Sequence, residues 1–220
     1  MTFGYDVDPG AVCSIKKWDE TNVFACMILF AYGGIKRQDF AVPDIEEQLS
    51  KMVQNEVEKK FDSLAFTNVV DLRYIALIAS EALKNCNAKI REANSLLGCK
   101  SYVGGVIGFC DGQDVLVIPF GGGHAYIHTE SVVKPINPKP ETELIDDALG
   151  CSEEWKLKYF QGHINTNTRL IFTSGYIVPD ELFQILQEHD SAAAGYQNTL
   201  AMQIRTALQK RSLATMEVRV

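Results

Sequence analysis

The run NVFACMILFAYGGI, residues 22–35, constrains this chain more than any other stretch. From Val23 to Tyr32 no charge interrupts it, and branched and aromatic side chains dominate, which suits a strand. It is far shorter than the roughly 20 apolar residues a membrane helix needs. It ends in Tyr-Gly-Gly, a turn at which enzymes often carry an acid, and the residue before the glycines is a tyrosine.

The segment AVCSIKKW just upstream reads as a partner strand. In PDIEEQLSKMVQNEVEKKF the apolar positions Ile45, Leu49, Met52, Val53, Val57 and Phe61 recur at three- and four-residue spacing, which predicts an amphipathic helix opened by Pro43 and Asp44. A longer helix follows through Leu72, Ile75, Ala76, Ala79, Leu83, Cys86 and Ile90, stopped at Gly98. SYVGGVIGFC, DVLVIPFGG and HAYIHTE predict three strands, the first two joined by the turn CDGQD. The proline-rich KPINPKPETEL is expected to be a surface connection. KYFQGHI and TRLIFTSGY predict strands, PDELFQILQE and YQNTLAMQIRTALQK helices, and ATMEVRV a closing strand.

Strands thus come in hairpins, with helix pairs between and after them, which argues against a doubly wound parallel sheet. The expected fold class is α+β: an antiparallel β-sandwich flanked by pairs of helices, in α-β-β-α layers. With 220 residues, 46% of them apolar, and no linker-like tract, one domain over residues 1–220 is expected.

A net charge of −7 and a pI near 5.1 argue against nucleic acid as a partner. MTFGYDVDPG has no basic region followed by an apolar one, so no signal peptide is read there, and no membrane partner is expected. Cys13, Cys26, Cys86, Cys99, Cys110 and Cys151 are scattered singly, without zinc-ligand spacing. Free, mostly buried thiols in a reducing cytoplasm are the expectation.

Taken in order, these elements resemble the metal-dependent serine/threonine phosphatases of the type 2C (PPM) class over roughly residues 10–220. The family's opening Arg-x-x-x-Glu-Asp is similar to KKWDET, giving Lys16, Glu20 and Thr21. Its Asp-Gly-x-Gly-Gly strand end resembles FAYGGI, with Tyr32 in the aspartate's place and Gly33 after it. Its Gly-Asp-Ser-Arg-Ala-Tyr resembles GGGHAY, matching at Gly121, Ala125 and Tyr126 but not at Gly122, Gly123 and His124. Its Ser/Thr-Asp-Gly resembles TSGY, with Ser174 before Gly175, and its closing Asp-Asn resembles Ser212 and Leu213.

The resemblance implies two divalent cations held among carboxylates, activating a water against phosphorus. Mg²⁺ and Mn²⁺ want anionic oxygens, yet three matched aspartate positions carry Tyr32, Ser174 and Ser212. Glu20 and the Gly33 carbonyl alone persist. Lys16 supplies charge where the family has an arginine, but without the planar fork. The resemblance therefore implies a pseudophosphatase: no catalytic residue, no bound metal, and a vestigial cleft of Lys16, Glu20, Tyr32, Gly33, Ser174 and Ser212 that takes a protein or phosphoprotein partner in a regulatory role. The alternative is an active phosphatase with an atypical site, Mn or Mg held weakly near Glu20. Asp39, Asp44, Asp111 and Asp114 could in principle rebuild a site, but the last two read as turn residues and Asp44 as a helix start.

Two sharper readings lose to plainer ones. Ser174 and His124 could form a nucleophilic pair, but the Gly-x-Ser-x-Gly elbow is absent and His124 is expected at a strand start with a local hydrogen bond. FGGGHAY lacks the lysine and helix of a phosphate loop and reads as a bend between strands. Tyr32 itself is expected to fill the volume that ions and waters would take.

Overall fold

A computed structural model describes residues 2–6, 11–18, 23–33, 45–64, 71–139, 146–165, 167–191, 204 and 215–219. Two five-stranded antiparallel sheets stack face to face. One has the order β2 (Ala11–Lys17), β3 (Phe24–Gly33), β4 (Ser101–Cys110), β5 (Asp114–Phe120), β8 (Phe160–His163). The other runs β1 (Thr2–Asp6), β10 (Thr215–Arg219), β9 (Arg169–Thr173), β6 (His124–Thr129), β7 (Val132–Pro135).

The period of two along β3 explains why its apolar run is continuous. Ala25, Met27 and Leu29 face α1 (Ile45–Asp62) and α2 (Leu72–Leu97), while Phe24, Cys26 and Ile28 face the opposite sheet. Helix α2 lays Ile75, Ala79, Leu83, Cys86 and Ile90 into the first of these cores. Asp71 caps its start by accepting the Arg73 N–H at 2.9 Å. Gly98 ends it in the left-handed region, where a side chain would be strained. Between the sheets Gly108 leaves room for the Phe172 ring, which a Cβ there would meet at 2.8 Å. A third core joins Tyr126 and Ile171 to α3 (Pro179–Ser191) and Ile204. The layers are helix, sheet, sheet, helix, as the strand hairpins and helix pairs predict.

Two strands escape the sequence reading. β1 lies in the opening segment, and β7 takes Lys134 and Pro135 from the stretch expected to be only a connection. Both are edge strands, β7 with only four residues and Pro135 at its end, where a missing N–H costs least. The turn before β5 is as expected: the Asp111 carboxylate accepts the Gln113 and Asp114 N–H groups. Asp39, Asp44 and all of the last predicted helix except Ile204 lie outside the described residues.

Candidate functional site

Antiparallel pairing gathers one set of strand ends at one end of the sandwich. In the first sheet these are the close of β3 and the start of β4, where Tyr32 pairs Tyr102 and Gly33 pairs Ser101. In the second, a single row crosses the sheet through His124, Thr173, Thr215 and Asp6. The turn Gly121–Gly123 ties the two sheets together here, between β5 and β6. Gly121 and Gly122 both have positive φ, which glycine tolerates.

Tyr32 stands at the centre of this end. Its hydroxyl donates to the Gly121 carbonyl at 3.3 Å, and its ring lies 6.0 Å from that of Phe30 and 6.1 Å from that of Tyr102. A Cβ on Gly104 would fall 2.6 Å from the Phe30 ring and 2.3 Å from the Gly121 carbonyl oxygen, so glycine there lets ring and turn close over β4. Burial pushes the Tyr32 phenol well above its ordinary range, with nearby Asp147, Cys151 and Tyr102 adding to the shift. The phenol is therefore neutral and a donor.

Asp147 is the group that sequence reasoning missed. One carboxylate oxygen accepts the Gly121 N–H at 2.8 Å, and the other is 3.6 Å from the Lys158 ammonium. The Trp155 indole donates to its backbone carbonyl. No spacing in IDDALG announces this, because a loop carries the acid to the site. Asp6 is a second omission, placed by the register of a strand the sequence did not reveal.

Ser174 follows β9 directly and flanks the same turn, its carbonyl 3.9 Å from where a Cβ on Gly122 would be. Beyond it, the Tyr126 hydroxyl accepts the Ile177 N–H at 2.7 Å and donates to the Ile177 carbonyl at 3.0 Å. The Thr173 hydroxyl donates to the Gly175 carbonyl at 2.7 Å. Gly33 has a φ of 87° and no room for a Cβ, which would lie 2.2 Å from the Lys100 carbonyl oxygen.

Lys16 is elsewhere, which corrects its grouping with the cleft. It pairs with Ala25 in the β2–β3 ladder. Seven residues of strand then separate it from the row of Tyr32, about 23 Å at 3.3 Å per residue. Its ammonium binds the Asp62 carboxylate and lies 5.9 Å from the centre of the Trp18 ring. The sequence match grouped Lys16 with the strand-end residues; the antiparallel ladder puts it seven residues away from them. Glu20 and Ser212 lie outside the described residues.

His124 opens β6 with the local bond expected of it. The Asn137 amide oxygen accepts the Ala125 N–H, so its NH₂ group faces the Gly123 carbonyl and His124 Nδ1, at 3.2 and 2.9 Å. Nδ1 is thus an acceptor and the ring proton sits on Nε2, an assignment made from the network. No lone pair of the neutral ring remains to take a proton from Ser174.

The described groups here do not suit a pair of dications. Tyr32 is a neutral donor, Ser174 is neutral, and Asp147 is a single carboxylate with one oxygen already accepting the Gly121 N–H. Among the described residues no cluster of three or more His, Cys, Asp or Glu side chains could hold a metal ion. Nor is any described helix long and apolar enough to cross a membrane.

No family model matches the sequence, and no curated protein does. Solved structures do match. The serine/threonine phosphatase Stp1 from Staphylococcus aureus aligns with a TM-score of 0.71 at 13% identity, covering 98% of this chain and 92% of that one. PppA, described as a key regulatory component of T6SS in Pseudomonas aeruginosa, aligns at 0.64 and 12%, covering 99% and 96%. The catalytic domain of the serine/threonine protein phosphatase PstP, in complex with two manganese ions, aligns at 0.60 and 11%, covering 98% and 97%. At such identities the likeness is one of fold: this chain has the antiparallel sandwich of the serine/threonine phosphatases.

Proposed function

We propose that this chain is a phosphatase-fold protein that works by binding a protein partner in a regulatory role, not by hydrolysing phosphate esters. One observation carries the reading. At the position where the family resemblance implies a metal-ligand aspartate stands Tyr32, a half-buried neutral phenol that donates its proton to the Gly121 carbonyl. A hydroxyl so engaged is a poor ligand for a hard dication. Ser174 adds a second neutral group at the strand end the resemblance marks. The regulatory part of the proposal draws on PppA, whose description as a regulatory component is a statement about that protein. A single unit over residues 1–220, in a cytoplasm that keeps its six free thiols reduced, completes the proposal.

A second reading, an active metal-dependent phosphatase with an atypical site, is favoured by Asp147 beside Tyr32 and by Asp6 in the end row. It would use Mn²⁺ or Mg²⁺ held weakly at that end. Titration calorimetry of chelator-stripped protein with Mn²⁺, run beside an aryl-phosphate turnover assay, separates the two. The binding reading expects neither heat nor turnover. Metal-stimulated turnover would overturn it.

A further inference from the structure

Beside Tyr32 stand aromatic rings and the Asp147 carboxylate, and that combination selects a ligand. Phe30, Tyr32 and Tyr102 lie side by side at the end of the sandwich, each partly open to solvent. The Phe30 ring lies against the bare Cα of Gly104, and the Tyr32 hydroxyl is anchored on Gly121, which holds the aromatic floor in place. Gly121 also holds the acid: its N–H binds Asp147 while its carbonyl binds Tyr32. One residue thus fixes a ring and a carboxylate beside each other. Asp147 directly follows Asp146, on a chain of net charge −7.

Ring faces attract ammonium and guanidinium groups through their quadrupole. A neighbouring carboxylate adds a charge-assisted hydrogen bond and a steering field. We propose that the Tyr32–Asp147 end receives a lysine or arginine side chain from a basic segment of a partner protein. This inference rests on the binding reading above and names the chemistry of its partner. Lys158 already shows the mode within the chain: its exposed ammonium stands 3.6 Å from the second Asp147 oxygen. An exposed pair of that length is weak and yields readily to a competing cation. A phosphate group, by contrast, would meet the Asp147 carboxylate. The strand lysine the sequence offered for phosphate, Lys16, is at the other end and paired with Asp62.

The test uses the full chain in calorimetric titrations with three synthetic peptides: one alternating arginine and glycine, the same peptide with citrulline for arginine, and a phosphoserine peptide. The arginine peptide is expected to bind, more weakly at higher salt, and the citrulline peptide not. Asp147→Asn should weaken the arginine peptide about tenfold, the loss of one charge-assisted contact. Lys158→Ala should tighten it by removing the competitor. Both changes are at partly or largely exposed side chains, so neither disturbs the core. Equal binding of the arginine and citrulline peptides, indifference to Asp147→Asn and Lys158→Ala, or no binding of the arginine peptide would overturn the inference. Preferred binding of the phosphoserine peptide would overturn it too while leaving the binding reading intact; only metal-stimulated turnover removes that reading.

Discussion

Tyr126 and Ile177 are joined twice: one hydroxyl accepts the Ile177 N–H and donates to the Ile177 carbonyl, at 2.7 and 3.0 Å. Fifty-one residues apart in sequence, they pin the loop that carries Ser174 onto the strand that follows the Gly121–Gly123 turn. Both are buried, so water cannot take over either bond. Tyr126→Phe keeps the ring and strands one donor and one acceptor. It should cost about 1–3 kcal/mol per group left unsatisfied, read as a lower urea midpoint at unchanged slope. Amide exchange should rise first in residues 174–178, because the loop opens before the sheet does.

Gly104 and Gly98 are required by different physics. Gly104→Ala would drive a methyl to 2.3 Å from the Gly121 carbonyl oxygen and 2.6 Å from the Phe30 ring. Backbone and a packed ring cannot both give way, so the cost should exceed the usual 1–3 kcal/mol of overpacking. Gly98→Ala meets nothing within 4 Å but must adopt a φ of +62°, a strain of about 1 kcal/mol. Thermal unfolding of the two variants should rank them in that order. The reverse order would mean that the turn does not close over β4 as described.

The layers were legible because hydrophobic period tracks burial. β3, β4 and α2 are long, strongly patterned and buried, and their predicted limits lie within two residues of the observed ones. β1 and β7 were not legible, since short edge strands need little apolar pattern. The site divides the same way. Tyr32, Gly33 and Ser174 sit at strand ends, so placing the strands placed them. Lys16 was misplaced because its match rested on a short motif, and strand register, which a motif does not carry, decides which end of the sandwich a residue reaches. Asp147 came to the site through a connection with no periodicity at all.

Lys16 now carries a prediction of its own. Its ion pair with Asp62 joins β2 to the end of α1, with side chains 28% and 67% exposed. A pair so open to water contributes about 0–1 kcal/mol. Lys16→Ala should therefore shift the urea midpoint slightly, and it should leave peptide affinity at the Tyr32 end unchanged. A loss of affinity would place the binding surface at the opposite end of the sandwich.

Stability should also fall in alkali, from the thiols. Burial pushes Cys86 and Cys110 from an ordinary 9.0 up to about 12, and holds Cys26 well above 9.0 too. Below pH 9 these thiols are protonated in both folded and unfolded chains and contribute no pH dependence. Between 9 and 12 the unfolded chain releases protons that the folded chain retains, so the unfolded state gains and stability declines as pH rises. Each such group adds a slope of about 1.4 kcal/mol per pH unit inside that window. Urea midpoints measured at pH 8, 9 and 10 should be level over the first step and drop over the second. In Cys86→Ala the starting midpoint should be lower, because a packed core atom is lost, but the drop from pH 9 to 10 should be shallower by one group's share. An undiminished drop in that variant would assign the alkaline loss to other groups and place Cys86 in contact with water.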